Sequence, residues 1–194
     1  NGHITGNSPF LYFEWRAGKK GEYHEVQTQL IGEYNFANVL AAVTIGHYFG
    51  VEAAQICNAL ESYTPHNNRS QLKKTDRNTL IIDAYNANPT SMAASIENFR
   101  KIKAFPKMLI LGDMRELGAD SRVEHLKIVE MLRACSFEIV WLVGSEFASL
   151  SHPFRSFANV EEVIEAIKEH TPDGYTVLIK GSNGIRLSSV VDYL

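Results

Sequence analysis

Cysteine is scarce in this chain. There are two in 194 residues, Cys57 and Cys135, and neither has a companion at a metal-ligand or redox spacing. That excludes a disulfide scaffold and a zinc site, and both read as buried free thiols of a reducing compartment. No run of about 18 apolar residues and no signal-peptide pattern occurs, so no membrane insertion is expected and a cytoplasmic location is the default. Charge of one sign is not in excess either. A net charge of -3 and a pI near 6.2 exclude the basic face that a nucleic-acid partner would require. Up to Asn67 there are three basic and six acidic residues, and the remainder holds sixteen of each, so neither part is a charged tail. Internal repeats, low-complexity tracts and Ser/His/Asp or Cys/His arrangements are missing as well, which leaves hydrolase chemistry of those kinds without support. The chain begins without Met and without a recognisable domain start, and it reads as an excised piece of a longer protein.

What is present is an ordinary globular composition, 45% hydrophobic and 21% charged, in a length that suits one domain, or one domain plus a piece of another. Residues 10–15 and 22–30 are extended runs joined by a polar, Gly-containing turn, which reads as a hairpin. Residues 35–49 have apolar side chains at helical spacing; Gly50 ends that helix and another spans 52–62. Residues 63–68 form a linker by composition, with Pro65 discouraging helix continuation. The rhythm then changes. Residues 69–75 and 79–83 suggest an antiparallel pair. Helices over 90–104, 121–134 and 160–170 alternate with strands over 108–111, 138–143 and 175–179. A short strand near 154–157 and a final helix over 185–193 complete the pattern. Strands that are apolar throughout, separated by amphipathic helices, predict an α/β fold with a mostly parallel sheet covered by helices on both faces.

In such a sheet the loops leaving the carboxyl ends of the strands share one edge, where ligands bind. Four of them are rich in polar groups: 83–88 (Asp-Ala-Tyr-Asn-Ala-Asn), 112–118 (Gly-Asp-Met-Arg-Glu-Leu-Gly), 144–146 (Gly-Ser-Glu) and 180–184 (Lys-Gly-Ser-Asn-Gly). Loops at the opposite edge are plain turns. Lys180, Gly181 and Ser182 before a helix N-terminus can hold a phosphate or a carboxylate, although Lys180 also fits a solvated strand end. Asp83 and Asn88 can bond hydroxyls or amides. Asp113 and Glu116 can receive an ammonium group or fix their own loop. Asn86, Asn88 and Pro89 also suit a simple turn, with Thr90 as the helix cap. His125, within the helix after the Asp113 loop, reads as a packed histidine before it reads as an acid or base. Upstream, Asn35 and Asn38 lie three apart on one helix face, where two amides suit a planar heterocycle; Asn35 is otherwise the cap. Arg69, just after the linker, is placed to reach a bound ligand or is surface charge.

Five strings carry a resemblance: residues 32–38 (Gly-Glu-Tyr-Asn-Phe-Ala-Asn), 68–69 (Asn-Arg), 83–89 (Asp-Ala-Tyr-Asn-Ala-Asn-Pro), 111–118 (Leu-Gly-Asp-Met-Arg-Glu-Leu-Gly) and 180–182 (Lys-Gly-Ser). In this order they resemble the Mur ligase family. The resemblance covers essentially the whole chain. It implies that residues 1–67 are the last, α+β part of a central ATP-binding domain, and that 68–194 are the Rossmann-like C-terminal domain. The Gly-rich phosphate loop ending in Gly-Lys-Thr/Ser is absent, as are the family's central-domain magnesium ligands and modified lysine. ATP and Mg are therefore implied as cofactors, with the metal ligands outside these residues, and the chain alone is expected to be inactive. The motif pair 83–89 and 111–118 implies the member that joins D-alanyl-D-alanine to UDP-N-acetylmuramoyl-tripeptide through an acyl phosphate, in peptidoglycan precursor synthesis. On this resemblance Asn35 and Asn38 line the adenine pocket, and Arg69 and Asp83 contact ATP phosphate and ribose. Asn86, Asn88, Ser91, Asp113, Lys180 and Ser182 face the dipeptide, and Asp83 and Lys180 are the catalytic candidates. Tyr34 stands where His is commoner, and Ala84 where Ser is usual. Other Mur-type ligases, a folylpolyglutamate synthase, or a non-catalytic nucleotide- or peptide-binding module are the alternatives. The Asp-Asn-Pro-Arg motif expected of the diamino-acid-adding ligase is absent. Self-association through apolar surface of the incomplete first domain is also expected.

Overall fold

The computed structural model describes residues 1–194. The chain divides into two units, one of residues 1–66 with 101–103, the other of residues 67–100 with 104–194.

In the first unit, β1 (Gly2–Asn7), β2 (Phe10–Trp15) and β3 (His24–Ile31) form an antiparallel meander in that order. Alternation along β2 sends Leu11, Phe13 and Trp15 inward. With Val26 of β3 they form a core against Val39 and Val43 of α1 (Phe36–Tyr48) and Ile56 of α2 (Ala53–Ser62). The hairpin and both helices match the sequence pattern. Strand β1 does not appear in it, because Gly-His-Ile-Thr-Gly-Asn offers one apolar side chain and two glycines. Its partner β2 supplies the order, with an irregularity between Ile4 and Gly6. Helix α1 is apolar on nearly every side, a pattern that normally signals burial. Yet Ile45, Tyr48 and the following Phe49 are 59%, 83% and 76% exposed.

The second unit is a six-stranded sheet. Its members are β4 (Gln71–Lys74), β5 (Thr79–Asp83), β6 (Lys107–Gly112), β7 (Ile139–Val143), β8 (Arg155–Phe157) and β9 (Thr176–Lys180). The spatial order is β4-β5-β9-β6-β7-β8; β4 is antiparallel to β5 and every other pairing is parallel. The helices are α3 (Pro89–Lys101), α4 (Ser121–Arg133), the short α5 (Ser145–Ala148) and α6 (Val160–Glu169).

Pleating divides the strand residues between two faces. Leu80, Ile82, Met108, Ile110, Val177 and Ile179 share a cluster with Val163 and Ile167 of α6 and with Leu187 and Val190 of the C-terminal segment. The opposite-facing Ile81, Leu109, Leu111, Leu142 and Leu178 are equally buried, as are the inner stripes of α3 (Met92, Ile96, Phe99) and α4 (Ile128, Val129, Leu132). Both faces are thus covered, and the α/β reading holds. Strand β9 lies between β5 and β6, but the chain leaves it toward the α6 face, while the chain leaving β5 passes to the α3 face. Where neighbouring exits diverge in this way a crevice opens at the carboxyl edge.

Three local corrections apply. Helix α3 is capped by Asn88, not Thr90: Asn88 Oδ1 accepts the Ser91 N–H at 2.8 Å, and Ser91 Oγ accepts the Asn88 N–H at 3.1 Å. That reciprocal box places Pro89 at the first helical position, where its missing N–H costs nothing. Asn35 makes no side-chain cap bond to α1. The expected final helix is instead two 3-10 turns, Asn183–Ile185 and Leu187–Asp192, separated by Arg186 in the left-handed region at φ 59°.

Candidate functional site

Asp83 ends β5 and Lys180 ends β9, and parallel register sets them side by side on the face toward α3. Lys180 Nζ lies 2.6 Å from Asp83 Oδ2, with side chains 2% and 14% exposed. Ser95 Oγ donates to the same oxygen at 3.1 Å, and the Ser70 N–H to Oδ1 at 3.3 Å. Lys180 also donates to Asn86 O at 3.4 Å. A buried ammonium and carboxylate so matched neutralise each other, and their surplus hydrogen-bonding capacity goes to fixing the 83–88 loop. This accounts for a lysine inside an otherwise apolar strand.

Ser182 joins three loops. Its N–H donates to Asp113 O at 3.1 Å. Its Oγ accepts the Arg115 N–H at 2.9 Å and donates to Ala87 O at 3.3 Å. The loops touch because neither carries a side chain at the crossing: a Cβ on Gly181 would stand 3.0 Å from Gly112 Cα.

Asp113 is buried, and its two oxygens accept the N–H groups of Glu146 and Phe147, each at 3.0 Å. Burial pushes its carboxyl above the ordinary 3.8, and those two backbone donors oppose the shift. Gly144 makes this possible. It adopts φ 120°, and a Cβ there would collide with the Asp113 carboxylate. The carboxylate thus ties the 144–146 loop to the 112–118 loop.

Between these two loops opens a cavity of about 620 Å³, lined by residues 113–118, Ser121, Gly144, Ser145, Glu146, Ala158 and Ile185. Ser121 Oγ donates to Glu146 Oε2 at 2.6 Å, which holds that carboxylate at the wall. The Arg115 guanidinium rests over Gly184, where a Cβ would be 2.6 Å from one of its nitrogens. Glu116 is in the left-handed region at φ 65°, a conformation that costs a non-glycine residue about 1 kcal/mol or more and is commonest at ligand sites. One guanidinium and three carboxylates line one cavity, and with Asp113 engaged by backbone donors the remaining Arg115, Glu116 and Glu146 suit a small zwitterion. No group of three or more His, Cys, Asp or Glu side chains is placed to hold a metal ion.

The nominated residues therefore fall into separate groups. Asp83, Lys180, Asp113 and Ser182 are brought together as the framework of the sheet edge. Of these only Asp113 lines the cavity, and its oxygens are already engaged. Asn86 and Asn88 are exposed, and Ser91 is partly so beside Asn88. Arg69 is exposed and stacks its guanidinium 3.8 Å from the Tyr85 ring centroid, an arrangement that leaves its N–H groups outward. Asn35 and Asn38 belong to the first unit, where Asn38 Nδ2 donates to Asn35 Oδ1 at 3.2 Å and Asn35 Nδ2 to Ile31 O at 2.9 Å. Arg115, Ser121 and Glu146 were not nominated. Their only sequence signal is position, within or next to Gly-flanked loops. His125 is wholly buried, as the packed reading requires.

Comparison with known proteins follows the same lines. The Mur ligase, glutamate ligase domain family matches residues 68–183. The chain is 31% identical over 173 residues to the UDP-N-acetylmuramoyl-tripeptide–D-alanyl-D-alanine ligase of Bacillus subtilis, which covers 84% of this chain and 38% of that protein. Among solved structures, MurF from Acinetobacter baumannii superposes with a TM-score of 0.80 at 27% identity, covering 95% of this chain and 42% of that one. The ADP complex of MurF from Thermotoga maritima gives 0.81 at 18% identity, covering 99% and 45%, a likeness of fold. The chain thus spans roughly two fifths of the length of the curated relatives it matches, 38% in the Bacillus case.

Proposed function

Because the chain belongs to the Mur ligase family, we propose that it serves an ATP-dependent ligase joining D-alanyl-D-alanine to UDP-N-acetylmuramoyl-tripeptide in peptidoglycan precursor synthesis. The observation that carries the reading is the edge on which loops 83–88, 112–118, 144–146 and 180–184 are bonded to one another, with a cavity carrying opposite charges between 112–118 and 144–146. In this reading residues 1–67 complete a central ATP-binding domain and 68–194 are the dipeptide-presenting domain.

ATP, with Mg, would supply the phosphoryl group that activates the tripeptide carboxylate; the residues here offer no ligand set for Mg. For the nucleotide, Arg69 of the second unit would offer a guanidinium to phosphate, and Asp83 would contact ribose only by exchanging one of its present donors, Lys180, Ser95 or the Ser70 N–H; in the first unit Asn35 and Asn38 would offer two amides to the base. Asn86, Asn88 and Ser91, which do not line the cavity, would be hydrogen-bonding groups for the peptide. In the cavity Arg115 would take the dipeptide carboxylate, and Glu116 or Glu146 its ammonium. Asp83 and Lys180 act by holding the edge rigid, because such catalysis rests largely on positioning. The exposed Ile45, Tyr48 and Phe49 would drive self-association of the isolated chain, read as a concentration-dependent sedimentation coefficient.

The direct test is a chimaera in which this chain replaces the matching segment of the Bacillus subtilis ligase. Dipeptide- and tripeptide-dependent phosphate release is the expected result. A folded chimaera that binds ATP but accepts no dipeptide would overturn the reading.

A further inference from the structure

His125 lies behind the cavity, wholly buried, with both ring nitrogens engaged. Its Nδ1 is 2.7 Å from Ser121 O, and its Nε2 is 3.0 Å from the Met114 N. A carbonyl oxygen can only accept and a backbone N–H can only donate, so the proton sits on Nδ1 and Nε2 carries a lone pair. The 3.7 Å approach of Nε2 to Asp113 Oδ1 is therefore not an ion pair in this state. The ring edge also meets Phe147 at 4.6 Å between centroids, in a T-shaped arrangement. One imidazole thus touches the start of α4, the 112–118 loop and the start of α5, which are three walls of the cavity.

We propose that His125 is a positioning residue: through its Nε2 lone pair it fixes the Met114 peptide and so aims Arg115 and Glu116 at the dipeptide. This rests on the dipeptide reading above. Met114 itself is buried and can turn no further inward, so rotation of its peptide is expressed at the next two residues. Arg115 N–H is held from the far side by Ser182 Oγ. His125 and Ser182 therefore grip successive amides, which fixes the backbone from which the Arg115 side chain leaves.

The test uses the 194-residue chain. Nitrogen-15 spectra of the wild-type ring should show Nδ1 protonated and Nε2 bare; the opposite tautomer overturns the proposal without any variant. Next, His125→Gln keeps an acceptor near the Nε2 position, whereas His125→Asn reaches only the Nδ1 position. Hydrogen exchange at the Met114 amide should quicken about tenfold or more in His125→Asn and stay near wild type in His125→Gln. D-alanyl-D-alanine, titrated against the Arg115 amide resonance, should bind about tenfold more weakly to His125→Asn, with the Gln variant restoring affinity. Faster exchange with unchanged affinity would mean a structural role alone and would overturn the positioning role. A wild-type cavity that never responds to the dipeptide overturns the ligand reading itself, while tautomer and exchange still report on the grip separately.

Discussion

Lys180 and Asp83 occupy paired positions on neighbouring parallel strands and meet at 2.6 Å beneath the surface of the sheet edge. Removing one partner strands the other in a poorly solvated site. Lys180→Met should therefore cost about 3 kcal/mol of unfolding free energy, while Lys180→Met with Asp83→Leu should cost markedly less than the sum of the single changes. Urea denaturation of the three variants checks this. Additive losses would show that the two charges do not depend on each other.

Gly144→Ala is expected to be far more damaging than an exposed glycine substitution. The added methyl would occupy the place of the Asp113 carboxylate, and φ 120° is itself unfavourable for alanine. A loss of about 2 kcal/mol or more follows, together with the two bonds from Glu146 and Phe147 to Asp113. Gly174→Ala, where no atom lies within 4 Å of the added methyl, is the control because it shares the positive φ without the collision.

Asp113 makes a distinctive contribution to the pH dependence of stability. Its carboxyl is raised by burial, so the folded chain binds this proton more tightly than the unfolded one. In the window from the ordinary 3.8 up to the raised folded value, its contribution falls as pH increases, and it is constant above that window. Subtracting the stability curve of Asp113→Asn from that of wild type should isolate this downward slope. A difference that rises with pH there would mean the hydrogen bonds outweigh burial.

Asn78 closes the opposite end of the sheet. Its Nδ2 donates to Pro172 O at 2.8 Å and Leu194 O at 2.7 Å, and its Oδ1 accepts the Tyr175 N–H at 2.9 Å. Asn78→Ala leaves these buried groups unpaired, for about 3 kcal/mol of lost stability and a lower melting temperature. It should not alter the wild-type tautomer at His125, because the two residues share no partner.

The alternation of apolar strands with amphipathic helices was legible in the sequence because each of its period changes is forced by burial on both sheet faces. The loops after β5, β6, β7 and β9 were legible as one polar edge for the same reason. Strand β1 was not, since its order comes from pairing with β2 and its own side chains add little. The break at Arg186 was hidden too: Leu187, Val190 and Val191 keep a helix-like spacing, and only the left-handed backbone at 59° divides the segment. At the site, Asp83 and Lys180 stood out as charges at strand ends, but their mutual neutralisation depends on strand order, with β9 inserted between β5 and β6. Arg115 and Glu146 stood in loops legible as part of the polar edge, but only the folded chain shows that both line one cavity between those loops.

The Ser182 cross-link has a practical consequence for anyone wishing to change what this pocket accepts. Main-chain groups of two loops are bonded to one hydroxyl carried by a third, whose own N–H adds a further tie to Asp113 O, so altering any one backbone path would drag its neighbours along. Selectivity can then be redesigned at low risk only through the outward ornaments, Arg115 and Glu116, mounted on a frame that tolerates no rewiring.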